Sequence, residues 1–128
     1  MHQSELNKIG GIILDASITV HRELGPGLLE SAYEYALMHE LTLRNLQVRK
    51  HIPVEVIYKG CNLSKCYEID LLVENQVIVE IKSVLDMNPV FIAQLLTYLK
   101  LSQLKLGYLI NFNVPILKEG FKRIVYNF

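Results

Sequence analysis

A chain of 128 residues, 51% of them hydrophobic, is long enough for an ordinary buried core and too apolar to be disordered. Thirteen Lys and Arg balance thirteen Asp and Glu. With zero net charge and no block of Lys or Arg, no overall field draws in a polyanion; this argues against tight non-specific DNA binding and leaves room for a local site.

The N-terminus, Met1-His2-Gln3-Ser4-Glu5, leads into a segment interrupted by Lys8, Asp15, His21 and Arg22, unlike a signal peptide. No run of about 18 apolar residues offers a membrane span, and a cytoplasmic chain is expected. Ser4 or Asn7 would cap a first helix reaching about residue 24, with Ile9, Ile12, Ile13, Ala16, Val20 and Leu24 at helical spacing. His21 and Arg22 near its end suit the helix dipole, with a phosphate contact as the alternative. Gly25-Pro26-Gly27 stops the helix. A second helix is predicted over residues 28–44, with Leu29, Tyr33, Ala36, Leu37, Glu40 and Leu41 along one side. Glu30, Tyr33, Glu34 and Leu37 are neighbours on it, and Glu30 in the first turn suits the positive end of the dipole.

Strands follow. Residues 48–58 read as one, with Val54, Val56 and Tyr58 alternating and Pro53 marking an edge or a bulge. Lys59-Gly60-Cys61-Asn62 reads as a turn. Cys61 and Cys66 are too few for a disulfide scaffold and read as ordinary thiols. Next come two β-rich runs, residues 67–73 and 77–83, around the polar break Glu74-Asn75-Gln76, which predict a hairpin. Alternation puts Ile69, Leu71, Val73, Val77, Val79 and Ile81 on one face, and Glu68, Asp70, Leu72, Ile78, Glu80 and Lys82 on the other. A three-residue loop sets Val73 against Val77, Asp70 against Glu80 and Glu68 against Lys82. Opposed carboxylates destabilise a sheet. A hard cation such as Mg²⁺ would resolve the conflict, and surface salt bridges are the plainer alternative.

Asp86-Met87-Asn88-Pro89 breaks the chain and starts a third helix at about residues 89–101, with Phe91, Leu95, Leu96 and Leu99 toward the core and Gln94 and Tyr98 sharing a face. Residues 107–112 (Gly-Tyr-Leu-Ile-Asn-Phe) read as a strand buried on both faces, joined to the hairpin by a parallel crossover, and residues 121–126 as a further short strand. The expected fold is one α/β domain over residues 1–128, with a mixed central sheet of four to five strands flanked by helices in the order ααβββαβ.

Asp70, followed by Glu80-Ile81-Lys82, resembles the PD-(D/E)xK nuclease superfamily, in which an Asp, a Glu and a Lys on a central hairpin build a Mg²⁺ site on a restriction-endonuclease-like core. The proline of that motif is absent, Ile69 preceding Asp70. Glu30 matches the further Glu of the preceding helix, and Gln94-Leu95-Leu96-Thr97-Tyr98 the Gln-x-x-x-Tyr motif of nucleases similar to the RecB type. Gly27-Leu28-Leu29-Glu30-Ser31-Ala32-Tyr33 is similar to the motif naming the GxxExxY family. The resemblance implies metal-dependent phosphodiester hydrolysis in nucleic acid, with DNA the expected substrate. Asp70, Glu80 and the Ile81 carbonyl would ligate Mg²⁺ or Mn²⁺, with Glu30 completing the shell. Lys82 would position water or steady charge, with Gln94 and Tyr98 reaching in from the third helix. Cutting both strands of a duplex would call for a homodimer. The rival reading is a non-catalytic scaffold or nucleic-acid-binding module, with Tyr35, Tyr58, Tyr108 or Tyr126 marking its surface.

Overall fold

The computed structural model describes residues 1–63 and 67–128, so Cys66 lies outside the described residues. Two helices come first, α1 (Gln3–Leu24) and α2 (Glu30–Leu43). Then come β1 (Val48–Pro53), β2 (Ile57–Tyr58), β3 (Cys61–Asn62), β4 (Glu68–Val73), β5 (Val77–Lys82), α3 (Val90–Ser102), β6 (Leu106–Asn111) and β7 (Phe121–Val125). The main sheet has the order β1-β4-β5-β6-β7. Among the described residues only β5 and β6 pair in parallel, through the α3 crossover, as the sequence predicted. The sheet is therefore mixed and five-stranded, with α1 and α2 packed on one face and α3 on the other.

The separate β2–β3 hairpin was not anticipated. Lys59 and Gly60 both adopt positive φ, 46° and 82°, which suits a two-residue turn, and Cys61 and Asn62 become strand rather than turn. The expected strand over residues 48–58 therefore splits after Pro53, which ends the edge strand β1. β6 is buried along its whole length between β5 and β7. Its Tyr108 packs on Phe121 with ring centroids 4.9 Å apart, so it marks no exposed surface; Tyr35 and Tyr58 are exposed.

Helix ends depart from the sequence reading where no side chain caps them. α1 starts at Gln3 after His2, without a side-chain cap from Ser4 or Asn7. Leu24, Leu29 and Leu96 stand at the solvent edge of their stripes and are exposed. His21 is buried, and its Nε2 lies 2.8 Å from the Val114 carbonyl, which gives it a structural contact. The first helical loop is held by Tyr33. Its hydroxyl donates to the Gly25 carbonyl and accepts the Leu28 N–H, while its ring stacks on Phe112 at 4.6 Å. Gly25 and Gly27, at φ of 69° and 97°, supply the conformations that this tight link needs.

Adjacent glycines of α1 give a paired prediction. A Cβ on Gly10 would lie 1.8 Å from the buried Tyr108 hydroxyl, whereas one on Gly11 would meet nothing within 4 Å. Helix propensity favours alanine over glycine by about 1 kcal/mol. Gly11→Ala should therefore raise the melting temperature. Gly10→Ala should lower it, by about 1–3 kcal/mol of stability, because overpacking outweighs propensity. Thermal melts of the two variants read the opposite signs directly.

Candidate functional site

The site forms where β4 and β5 part. Their pairing runs Val73–Val77, Leu72–Ile78 and Leu71–Val79, the register expected for a three-residue loop. Beyond Leu71 the ladder gives way to side chains. The Asp70 N–H donates to Glu80 Oε2 at 2.8 Å, and the Ile81 N–H donates to Asp70 Oδ2 at 2.8 Å. Each carboxylate thus takes the place of a backbone carbonyl on the opposite strand. Glu68 does not meet Lys82: it pairs with Pro53 on the other neighbour, β1, and its carboxylate lies 3.8 Å from His51 Nδ1.

The distortion coincides with a kink in the neighbouring strand β1. Pairing of β1 with β4 skips one position, His51 opposite Asp70, and His51 has φ of 53°. Face alternation breaks at the same point. Ile69 packs with Leu72 and Ile78 toward α3, while Leu71 packs toward α1 and α2, so Ile69 does not share the face of Leu71 as alternation alone predicted.

Burial and mutual repulsion set the electrostatics. Glu80 is only 5% exposed. Burial pushes its carboxyl far above the usual carboxylate range and the Asp70 charge adds to this, while the Asp70 N–H and Lys82 pull it back. Asp70 is raised less. Burial leads and the Glu34 and Glu30 charges add, opposed by the Ile81 N–H and Lys82. Lys82 makes no ion pair within 4 Å among the described residues, and its ammonium sits 4.3 Å from the Phe91 ring centroid, a cation–π contact with α3.

Glu30 opens α2 at the edge of this arrangement. Ser83, just after β5, donates through Oγ to the Leu28 carbonyl at 2.6 Å and ties that helix start to the site. The structure also brings up two residues that the sequence reading did not assign. Glu34, one turn beyond Glu30, weighs more on Asp70 than Glu30 does, and its carboxylate bonds His51 Nε2. The i, i+4 spacing of Glu30 and Glu34 was the available signal; the His51 kink left none in the sequence. From α3, Tyr98 is buried, and its hydroxyl is pushed up to about 12 by burial, then by Glu80 and Asp70. Its ring meets Tyr67 edge to face at 6.4 Å. Gln94 lines a cleft beside Tyr98 and makes no hydrogen bond to Lys82.

Among the described residues no three His, Cys, Asp or Glu side chains converge on one point. The candidate oxygen donors on the hairpin are the Asp70 and Glu80 carboxylates and the Ile81 carbonyl. That carbonyl points with its own N–H toward the parted strand, since the Lys82 carbonyl on the opposite side already accepts from Phe112 at 3.0 Å. One or two carboxylates plus water is the donor set that suits a hard Mg²⁺ ion.

A mixed five-stranded sheet between helices, with paired acids on a parted central hairpin, defines a restriction-endonuclease-like fold. A sequence profile of the PD-(D/E)XK nuclease superfamily matches residues 7–124, and the chain belongs to that superfamily. No curated protein and no solved structure matches it. No helix among the described residues is long and apolar enough to cross a membrane.

Proposed function

We propose that the chain is a metal-dependent nuclease of the GxxExxY kind that hydrolyses phosphodiester bonds in nucleic acid, with DNA the expected substrate. The observation that carries this reading is the carboxylate pair, buried Glu80 and half-buried Asp70, cross-bracing the parted hairpin next to Lys82. Backbone carbonyls would accept the same two N–H groups, so the ladder itself does not call for a mutually repelling acid pair, whereas a divalent cation would neutralise both.

Asp70, Glu80 and the Ile81 carbonyl would hold Mg²⁺ or Mn²⁺, with Glu30 or Glu34 holding a water on the α2 side. When bound, the cation polarises a phosphoryl oxygen and lowers the pKa of its water. The Lys82 ammonium, steadied by Phe91, would orient the attacking water or balance charge gathering on the phosphate. Tyr98, whose hydroxyl stays protonated, would donate toward that phosphate, and Gln94 would contact the chain beyond it.

The test is a cleavage screen of end-labelled single-stranded DNA, duplex DNA and RNA with Mg²⁺ or Mn²⁺. Cleavage of at least one, lost on chelation and in Glu80→Gln, is expected. No cleavage of any with either metal, or cleavage that survives Glu80→Gln, would overturn the reading.

A further inference from the structure

We infer that the cleft beside the carboxylate pair is a subsite for one unpaired nucleobase of the substrate. The inference rests on the nuclease reading for the reason a nucleic acid comes to this surface. The cleft has a volume of about 330 Å³ and is lined by Val56, Tyr67, Gln94, Thr97, Tyr98 and Leu101, among others. That size is near the lower end for pockets that enclose a small ligand and is ample for one base.

Its chemistry is that of a base site. Tyr67 is 39% exposed and leans edge to face on the buried Tyr98 at 6.4 Å, leaving an aromatic face to stack on. Gln94 offers both donor and acceptor atoms for a base edge. The Thr97 hydroxyl proton is already committed to the Ala93 carbonyl at 3.0 Å, so donation to a base edge falls to Gln94 and the tyrosine hydroxyls. Val56 and Leu101 supply apolar walls. The cleft adjoins the site through Tyr98, which lines it and packs in one cluster with Ile69 and Ile78 of the site hairpin. The base held there therefore belongs to a nucleotide next to the phosphate under attack. A base reaches such a cleft only outside a helical stack, which makes the substrate single-stranded, or a frayed end or flap.

Fluorescence anisotropy, in chelator so that no cleavage occurs, tests this with three labelled probes: an oligothymidylate of about twelve residues, the same strand in duplex, and an abasic strand of equal length and charge. Wild type should bind oligothymidylate about tenfold more tightly than the abasic strand or the duplex. Tyr67→Ala should erase that preference and Tyr67→Phe should keep it, with Gln94→Ala as a second variant at the rim and melting curves confirming folding. Equal affinity for oligothymidylate and the abasic strand in wild type would overturn the inference, even if metal-dependent cleavage were observed. Base preference without metal-dependent cleavage would sustain the subsite and count against the nuclease reading instead.

Discussion

Glu80→Gln should stabilise the metal-free protein while removing its ability to bind Mn²⁺. In the folded state Glu80 is almost fully buried, and the charge that acts on it most, Asp70, has the same sign. Lys82 offsets part of this, yet both carboxyls remain raised above their usual range. A group whose folded pKa is raised adds stability below its unfolded pKa and loses that contribution as pH climbs through the folded value. For this pair the loss runs from the ordinary carboxylate range up to about 8. Glutamine has no charge to lose, and its carbonyl oxygen can still accept the Asp70 N–H. The gain near neutral pH is expected to be on the order of 2 kcal/mol, or roughly 5 °C or more in melting temperature. It should shrink toward nothing at acidic pH, where wild-type Glu80 is protonated as well. Thermal melts of both proteins in chelator across that range supply the comparison. A variant less stable than wild type near neutral pH, with the deficit closing on acidification, would mean that Glu80 is ionised and well paired when folded.

Lys82→Ala should cost about two to three orders of magnitude in cleavage rate and leave Mn²⁺ affinity within about tenfold of wild type. The ammonium lies over Phe91 rather than on either carboxylate, so the Asp70 and Glu80 oxygens keep their positions when it is removed. Two electrostatic effects of the loss oppose each other. A nearby positive charge disappears, which favours a cation, and both carboxyls rise further, because Lys82 lowers each of them. Their partial cancellation keeps the affinity change small. Nothing comparable offsets the loss of a positioned donor in the transition state. Single-turnover rates at saturating Mn²⁺, beside a calorimetric titration, separate the two quantities. A parallel fall in both would make Lys82 a scaffold for the metal site rather than a participant in chemistry.

Much of the architecture is written in periodicity. The α1 stripe, the 74–76 loop and the doubly buried β6 each follow from a spacing of apolar residues, and each lies where that spacing put it. The site is less legible because its geometry comes from broken periodicity. Strict alternation assigned Ile69 to the face of Leu71 and set Glu68 against Lys82. The kink at His51 and the parting of β4 from β5 undo both, and they arise from tertiary contacts that no local pattern encodes. Asp70 and Glu80 nonetheless come together, because register alone carried them to the same height on neighbouring strands. Glu34 was visible as a helical neighbour of Glu30. Its weight on Asp70 depends on how α2 lies across the sheet, where Tyr33, Leu37 and Leu41 pack into the core.

The most direct test of the central claim, a metal centre on the hairpin, is calorimetric titration of Mn²⁺ into wild type, Asp70→Asn and Glu80→Gln, repeated in two buffers of different ionisation enthalpy. Wild type should bind about one Mn²⁺ saturably and release protons near neutral pH, since both carboxyls are raised and must ionise to serve as ligands. Either substitution should abolish that binding. Binding to wild type that persists in both variants, or no binding to wild type at millimolar Mn²⁺ with a bound strand present, would contradict it.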